Sequence, residues 1–196
     1  MNRRVEFFFD VGSPASYLAW TQLPALCEQA GAALVYRPML LGGVFQATGN
    51  VSPAAVHAKG EYTRKDLARH ARRYGVTLNH NPFFPIITLT LMRTAVGVQR
   101  HMPERFPDYL HAVFKALWVD ALDLNQPELT AAVLQAGGFD AGELMALVNS
   151  PDVKAALRAT TDEAIARGVF GAPTVFVGDE MFFGQDRLDF VREAIG

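Results

Sequence analysis

The period of the apolar positions changes twice along the chain and divides it into three parts. Val5 to Phe9 is a short apolar and aromatic run bounded by charges, the pattern of a buried strand. Ser13-Pro14 then opens a helix, since serine is a favoured N-cap and proline fits the first helical position. Ala19, Leu23 and Cys27 recur at i, i+4 and i+8 along one apolar face, and the helix ends near Gly31. Ala33 to Arg37 reads as a second strand stopped by Pro38.

The long middle has helical spacing throughout. Pro53 to Tyr74 is a charged helix closed by Gly75, and Ile86 to Val98 is apolar nearly all round, as a buried helix would be. Phe106, Tyr109, Leu110, Val113, Phe114 and Leu117 keep one amphipathic face. Shorter helices are expected near 127–135 and 140–148, and a longer one from Pro151 to Arg167, ending at Gly168. The period then reverts: Thr174 to Val177, the turn Gly178-Asp179-Glu180, and Met181 to Phe183 form a hairpin pattern. Asp186 to Ile195 closes the chain as a helix with Leu188, Val191 and Ile195 on one face.

The order is thus β-α-β, a helical block, then β-β-α. The terminal parts hold only about 65 residues, too few for a comfortable core alone. They are expected to pack as one α/β unit, residues 1–37 with 169–196, with 38–168 inserted as a helical domain. A site would lie between the two, since ligands favour such clefts and the carboxyl ends of strands.

Composition narrows the function. The 196 residues are 50% hydrophobic with 14 Phe, enough for a large core and too apolar for disorder. No apolar run reaches the roughly 18 residues of a membrane span. The start of the chain is too briefly apolar for a signal peptide, so a cytoplasmic protein is expected. Eighteen Lys and Arg against 20 Asp and Glu leave a formal charge of −2, which argues for neither nucleic acid nor an anionic membrane as partner. One cysteine, Cys27, excludes an internal disulfide, and the five histidines show no ligand-like spacing, so no metal is expected. Cys27 has the periodicity of a core residue. The basic run from Lys59 to Arg73 suits a solvated helix face, or attraction of a carboxylate substrate.

Three places could carry chemistry. Ser13-Pro14-Ala15-Ser16 follows the first strand at a helix N-terminus, where thioredoxin-like disulfide oxidoreductases hold Cys-x-x-Cys. With serine at both positions dithiol exchange is impossible. The free N–H groups, the positive end of the helix dipole and a donating hydroxyl remain, and they suit a thiolate brought in by a ligand. Alone, Ser-Pro is an ordinary helix cap.

Phe170-Gly171-Ala172-Pro173-Thr174 precedes the third strand, where a cis-proline would expose the backbone of Ala172 to pair with a peptide-like ligand; a simple turn is the bland reading. At the last helix, Asp186 and nearby amides could hold the ammonium and carboxylate of an amino-acid zwitterion, or Asp186 could simply cap.

Taken together with Phe7-x-Phe9-Asp10-x-x-Ser13-Pro14-x-Ser16-Tyr17, Leu40-Leu41-Gly42-Gly43-Val44-Phe45 with Gly49-Asn50, and Asn81-Pro82-x-Phe84-Pro85, these segments resemble the 2-hydroxychromene-2-carboxylate isomerase family. So do Gly168-Val169-Phe170-Gly171-Ala172-Pro173-Thr174 and Gly184-Gln185-Asp186-Arg187-Leu188. That family is glutathione-dependent, is similar to kappa-class glutathione transferases, and lies in the thioredoxin-like superfamily. The resemblance covers essentially the whole chain.

It implies a thioredoxin-like α/β fold with a large helical insertion, and an enzyme that uses glutathione as a catalytic thiol. Ser13 would face the glutathione sulfur, Ala172 would pair with the cysteinyl unit, and Phe183, Gly184, Gln185 and Asp186 would hold the γ-glutamyl end. Phe45, Gln46, Asn50, Asn81 and Phe84 would line the side of a small aromatic or unsaturated keto acid. Many members carry lysine near Gln46 and asparagine near Ile87, and this chain has neither. Homodimers are common among such relatives. Two other readings stay open: a kappa-like transferase that consumes glutathione in stable conjugates, and a non-catalytic module that binds extended peptides.

Overall fold

The computed structural model describes residues 3–196; Met1 and Asn2, the first residues of the expected α/β unit, lie outside the described residues. Its centre is the strand β1 (Arg4–Phe9), whose alternating side chains face two different environments. Val5, Phe7 and Phe9 are fully buried in one apolar cluster, with the Phe7 and Phe9 rings stacked 5.0 Å apart. Phe8 points to the other face, into a small cluster with Met39, Val44, Ala164, Val169 and Phe176. Glu6 shares that face and pairs with Arg37 and Arg167 at 2.8 Å each. The arginines hold its carboxyl below the usual carboxylate range although burial alone pushes the other way.

β2 (Ala33–Pro38) runs parallel to β1, as it must when a single helix, α1 (Pro14–Gln29), connects them. β3 (Thr174–Val177) lies antiparallel on the other side of β1, with Phe7 opposite Val175, and β4 (Glu180–Phe183) completes the order β2-β1-β3-β4. The final helix, α9 (Leu188–Ile195), buries Leu188, Val191 and Ile195 as their spacing requires. This is the thioredoxin-like arrangement, with a helical segment inserted between β2 and β3.

That segment holds α2 (Leu41–Thr48), α3 (His57–Tyr74), α4 (Leu89–His101), α5 (Phe106–Trp118), α6 (Pro127–Ala136), α7 (Ala141–Asn149) and α8 (Pro151–Ala166). The apolar cluster on the Phe7 face continues without interruption into α4 and α5, through Leu91, Met92, Ala95, Tyr109, Val113 and Phe114. At Gly97 the backbone of α4 comes so near α7 that a Cβ would sit 2.8 Å from that of Leu147. Among the described residues no single helix is long and apolar enough to cross a membrane.

Two helix starts in the inserted segment differ from the sequence expectation. Residues 53–55 form a separate 3-10 turn, and α3 begins only at His57. α4 starts at Leu89 rather than Ile86, because Ile86 to Thr88 are held as loop: the Ile87 N–H donates to Asn125 and Thr88 donates to Asp10. Ile87, counted as core by its apolarity, is 78% exposed.

α2 has no counterpart in the sequence reading. Its two glycines, and a first turn without a side-chain cap of its own, hide it from propensity. It forms because distant residues supply the caps: Asp10 accepts from the Leu41 N–H at 2.9 Å, and the Thr161 hydroxyl accepts from the Leu40 N–H at 3.0 Å. A Cβ on Gly43 would sit 3.3 Å from the Thr161 methyl, so the glycine lets α2 lie against α8.

Candidate functional site

The site grows from the carboxyl end of β1. Between β1 and α1 the chain turns through Asp10 to Gly12, and nearly every polar backbone group there has a partner. The Val11 carbonyl accepts from the Trp118 indole at 2.8 Å, the Gly12 N–H donates to the Asp10 carboxylate at 2.9 Å, and the Ser13 N–H donates to the Asp10 carbonyl at 3.0 Å. Ser13 then caps α1, with its backbone extended (φ −94, ψ 116) and its hydroxyl accepting from the Ser16 N–H at 3.1 Å. The same hydroxyl donates to the Ala172 carbonyl at 3.0 Å, across a separation of 159 residues.

Ala172 precedes Pro173 through a cis peptide bond, the geometry expected of a proline at this place. A second cis bond, Phe84–Pro85, was not anticipated from the sequence. Among the described residues nothing accepts from the N–H groups of Ala15 or Ala172. An unspent donor and a hydroxyl therefore stand at the positive end of α1, beside the Ala172 backbone, where an anion gains most. Ser16 is fully buried, and its hydroxyl has no partner among the described residues.

The expected γ-glutamyl side joins this point directly. The Gly184 N–H donates to the Pro173 carbonyl at 3.0 Å, which extends the β3–β4 pairing to the cis-proline loop. Gly184 adopts φ +102, a conformation side chains rarely take. Phe183 is 40% exposed and lies against Phe170, centroids 4.6 Å apart. Gly171 makes room for that ring, since a Cβ there would sit 2.7 Å from it. Gln185 is buried, and its carbonyl receives the Tyr74 hydroxyl at 2.5 Å. Asp186 is exposed, pairs with Arg187, and lines a polar cavity of about 310 Å³ with Gln22, His70, Arg73, Tyr74 and Arg192.

The residues expected on the substrate side divide. Asn50 donates to the Phe170 carbonyl at 2.8 Å, tying the end of α2 to the cis-proline loop. Phe45 is half-buried and Gln46 exposed on α2. Phe84 is half-buried, 6.3 Å from the Trp118 ring that also holds Val11. Asn81 is fully buried and bonded within the protein: its amide donates to the carbonyls of Leu117 and Leu122, and its oxygen accepts from the Phe83 N–H. It shapes the loop that carries Phe84 from inside. On α3, Leu67 and Ala71 pack inward while Arg64, Arg69 and Arg73 pair with Glu61, Asp66 and Asp189.

Sequence reasoning placed Asp10 in a motif but assigned it no role. The structure puts its carboxylate at the centre of the site's framework, 1% exposed and bonded to three donors. Burial raises its pKa while the three hydrogen bonds, from Gly12, Leu41 and Thr88, oppose the shift. The available signal was an acid closing an apolar strand, where a charge needs partners.

A four-stranded sheet in this order, a helix capped next to a cis-proline, and serine where a dithiol would stand define a thioredoxin-like protein of the DsbA type without disulfide chemistry. The chain belongs to the family described as the DSBA-like thioredoxin domain, whose model matches residues 4–196, and to that of the 2-hydroxychromene-2-carboxylate isomerases. It is 34% identical over 195 residues to the 2-hydroxychromene-2-carboxylate isomerase of Pseudomonas putida, covering 98% of this chain and 94% of that one. A solved structure of a 2-hydroxychromene-2-carboxylate isomerase superposes with a TM-score of 0.85 at 31% identity, covering 98% of this chain and 94% of the other. Human glutathione S-transferase kappa 1 is 28% identical over 206 residues, covering 99% of this chain and 91% of that one.

Proposed function

We propose that this protein is a glutathione-dependent isomerase acting on 2-hydroxychromene-2-carboxylate or a related unsaturated aromatic keto acid. The observation that carries the reading is the Ser13 hydroxyl, 3.0 Å from the carbonyl of Ala172 at the N-terminus of α1. The donors fit a γ-glutamyl thiol. The unspent N–H groups of Ala15 and Ala172 suit a thiolate and an extended backbone, and Asp186 beside its polar cavity suits an ammonium. Bound glutathione would supply a thiolate that adds to the double bond of the keto acid and leaves again once the carbon–carbon bond has rotated.

The protein's own part is to hold that sulfur as an anion and to present the keto acid to it. A hydroxyl has one proton to donate, and that of Ser13 is engaged by the Ala172 carbonyl. A ligand amide that pairs with this carbonyl frees the hydroxyl to turn toward the sulfur. Ligand pairing and thiolate stabilisation are thereby coupled through one atom. The Ser16 N–H and the helix dipole keep the hydroxyl oxygen in place while it turns. Phe84, Phe45, Gln46 and Asn50 would set the shape of the keto-acid side; Asn81 would act through the Phe84 loop.

The test is turnover of 2-hydroxychromene-2-carboxylate with glutathione well below the substrate concentration. Isomerisation that requires glutathione and returns it unconsumed is expected. Consumption of glutathione by an electrophilic aromatic acceptor without isomerisation would favour the transferase reading, consistent with the kappa relatives. Isomerisation at the same rate without glutathione would defeat the proposal.

A further inference from the structure

Asp10 touches neither the Ser13 hydroxyl nor the Ala172 backbone, yet its carboxylate joins three separate segments. Oδ1 accepts from the Gly12 N–H at 2.9 Å, one residue before Ser13. Oδ2 accepts from the Leu41 N–H at 2.9 Å, one turn before Phe45 and Gln46 on α2. Oδ2 also accepts from the Thr88 hydroxyl at 2.9 Å, at the end of the loop that begins with Phe84. The methyl of Thr88 packs so closely on the β1–α1 turn that a Cβ on Gly12 would lie 2.6 Å from it.

A buried charge is an expensive way to join loops, because apolar packing could do so without desolvating an ion. What a carboxylate offers is geometry, since two oxygens can receive three donors from fixed directions. We propose that Asp10 is a positioning residue for the reaction: it sets the distance between the thiol side, carried by Ser13, and the keto-acid side, carried by α2 and the Phe84–Thr88 loop. The inference rests on the glutathione reading for its kinetic consequence, and on the hydrogen bonds alone for its structural one.

Thr88 allows one side to be released without the other. In Thr88→Val the bond to the keto-acid loop is lost while those to Gly12 and Leu41 remain. The keto-acid KM is expected to rise by about tenfold, with glutathione affinity and the bound thiol's titration unchanged. Thr88→Ser keeps the hydroxyl and should restore the wild-type KM. In Asp10→Asn one acceptor oxygen is replaced by an NH2 that faces donors, and both the keto-acid KM and the thiol titration should move. A lowered melting temperature with wild-type kinetics in Thr88→Val would overturn the proposal and leave Asp10 a fold element only; this arm decides even where Asp10→Asn does not fold. Hydrogen exchange of the free protein separates this inference from the glutathione reading. Faster exchange at Ile87 and Met92, whose N–H groups donate to Asn125 and to the Thr88 carbonyl, is expected in Thr88→Val with α5 unchanged, whether or not glutathione binds, and unchanged exchange there would overturn the tie itself.

Discussion

Replacing Ser13 separates capping from chemistry, and the structure supplies the magnitudes. The hydroxyl makes two hydrogen bonds, one from the Ser16 N–H and one to the Ala172 carbonyl. Ser13→Ala removes both: the cap costs about 1 kcal/mol and the neutral bond roughly 0.5–1.5 kcal/mol. About 2 kcal/mol is a loss that a domain with roughly 5–15 kcal/mol of stability survives. Ser13→Gly removes the same bonds, but glycine at an N-cap costs only a few tenths of a kcal/mol relative to serine. The backbone at this position is extended, so neither variant is strained.

If the hydroxyl turns to a bound thiolate, the lost charge-assisted bond is worth roughly 1.5–3 kcal/mol, or about one to two pKa units. Thiolate absorbance of the glutathione complex across a pH series reads this directly. Both variants are expected to bind glutathione and to hold it mainly as thiol near neutral pH, with turnover reduced in proportion. The alanine and glycine variants should differ in melting temperature but agree in thiol titration. Wild type and both variants titrating alike would show that Ser13 only caps α1.

Asp186→Asn keeps the size of the side chain and removes the charge proposed to hold the γ-glutamyl ammonium; glutathione affinity should fall by about ten- to a hundredfold, read by calorimetry, with the fold intact by circular dichroism. Burial pushes the Cys27 thiol up to about 11, so alkylation at neutral pH should run about a hundredfold slower than for a free thiol, and ordinary rates would show that the core around it opens. The Ser150 hydroxyl, followed by His101, holds Asp152 down at about 2 from 3.8. A lowered folded-state value means that the stabilisation is present above about pH 4 and lost as pH falls toward 2, so the melting-temperature gap between wild type and Asp152→Asn should close across that window.

The terminal elements were legible in the sequence because each carries its own punctuation. Ser13-Pro14 starts α1, the apolar run from Val5 to Phe9 bounded by charges marks β1, and the Gly178 turn divides β3 from β4. What was hidden depends on partners far along the chain. α2 is capped by Asp10 and Thr161, and the start of α4 is delayed by bonds from Ile87 and Thr88 to Asn125 and Asp10. Periodicity cannot see either, since it scores a residue only against its neighbours. Asn81 shows the same limit from the other side. Its loop reads as a place of interest, but only the burial of its amide between Leu117 and Leu122 reveals that the side chain is spent on the protein's own backbone.

The two serines of Ser13-Pro14-Ala15-Ser16 also constrain where any sulfur chemistry must come from. A helix N-terminus with unspent N–H groups stabilises a thiolate whatever molecule supplies it. Here neither end of the motif carries sulfur, and the chain's one thiol, Cys27, is buried and held protonated far above neutral pH. The fold thus keeps the electrostatic half of a dithiol site and lacks the reacting half. A thiol reactive at neutral pH at this site must arrive with a ligand. The Ala172 backbone stands beside these donors, its carbonyl 3.0 Å from the Ser13 hydroxyl, which favours an extended, peptide-like carrier over a small free thiol. Binding of a thiol without a peptide backbone as tightly as glutathione would break that argument, because it would leave the cis-proline loop with no part in selection.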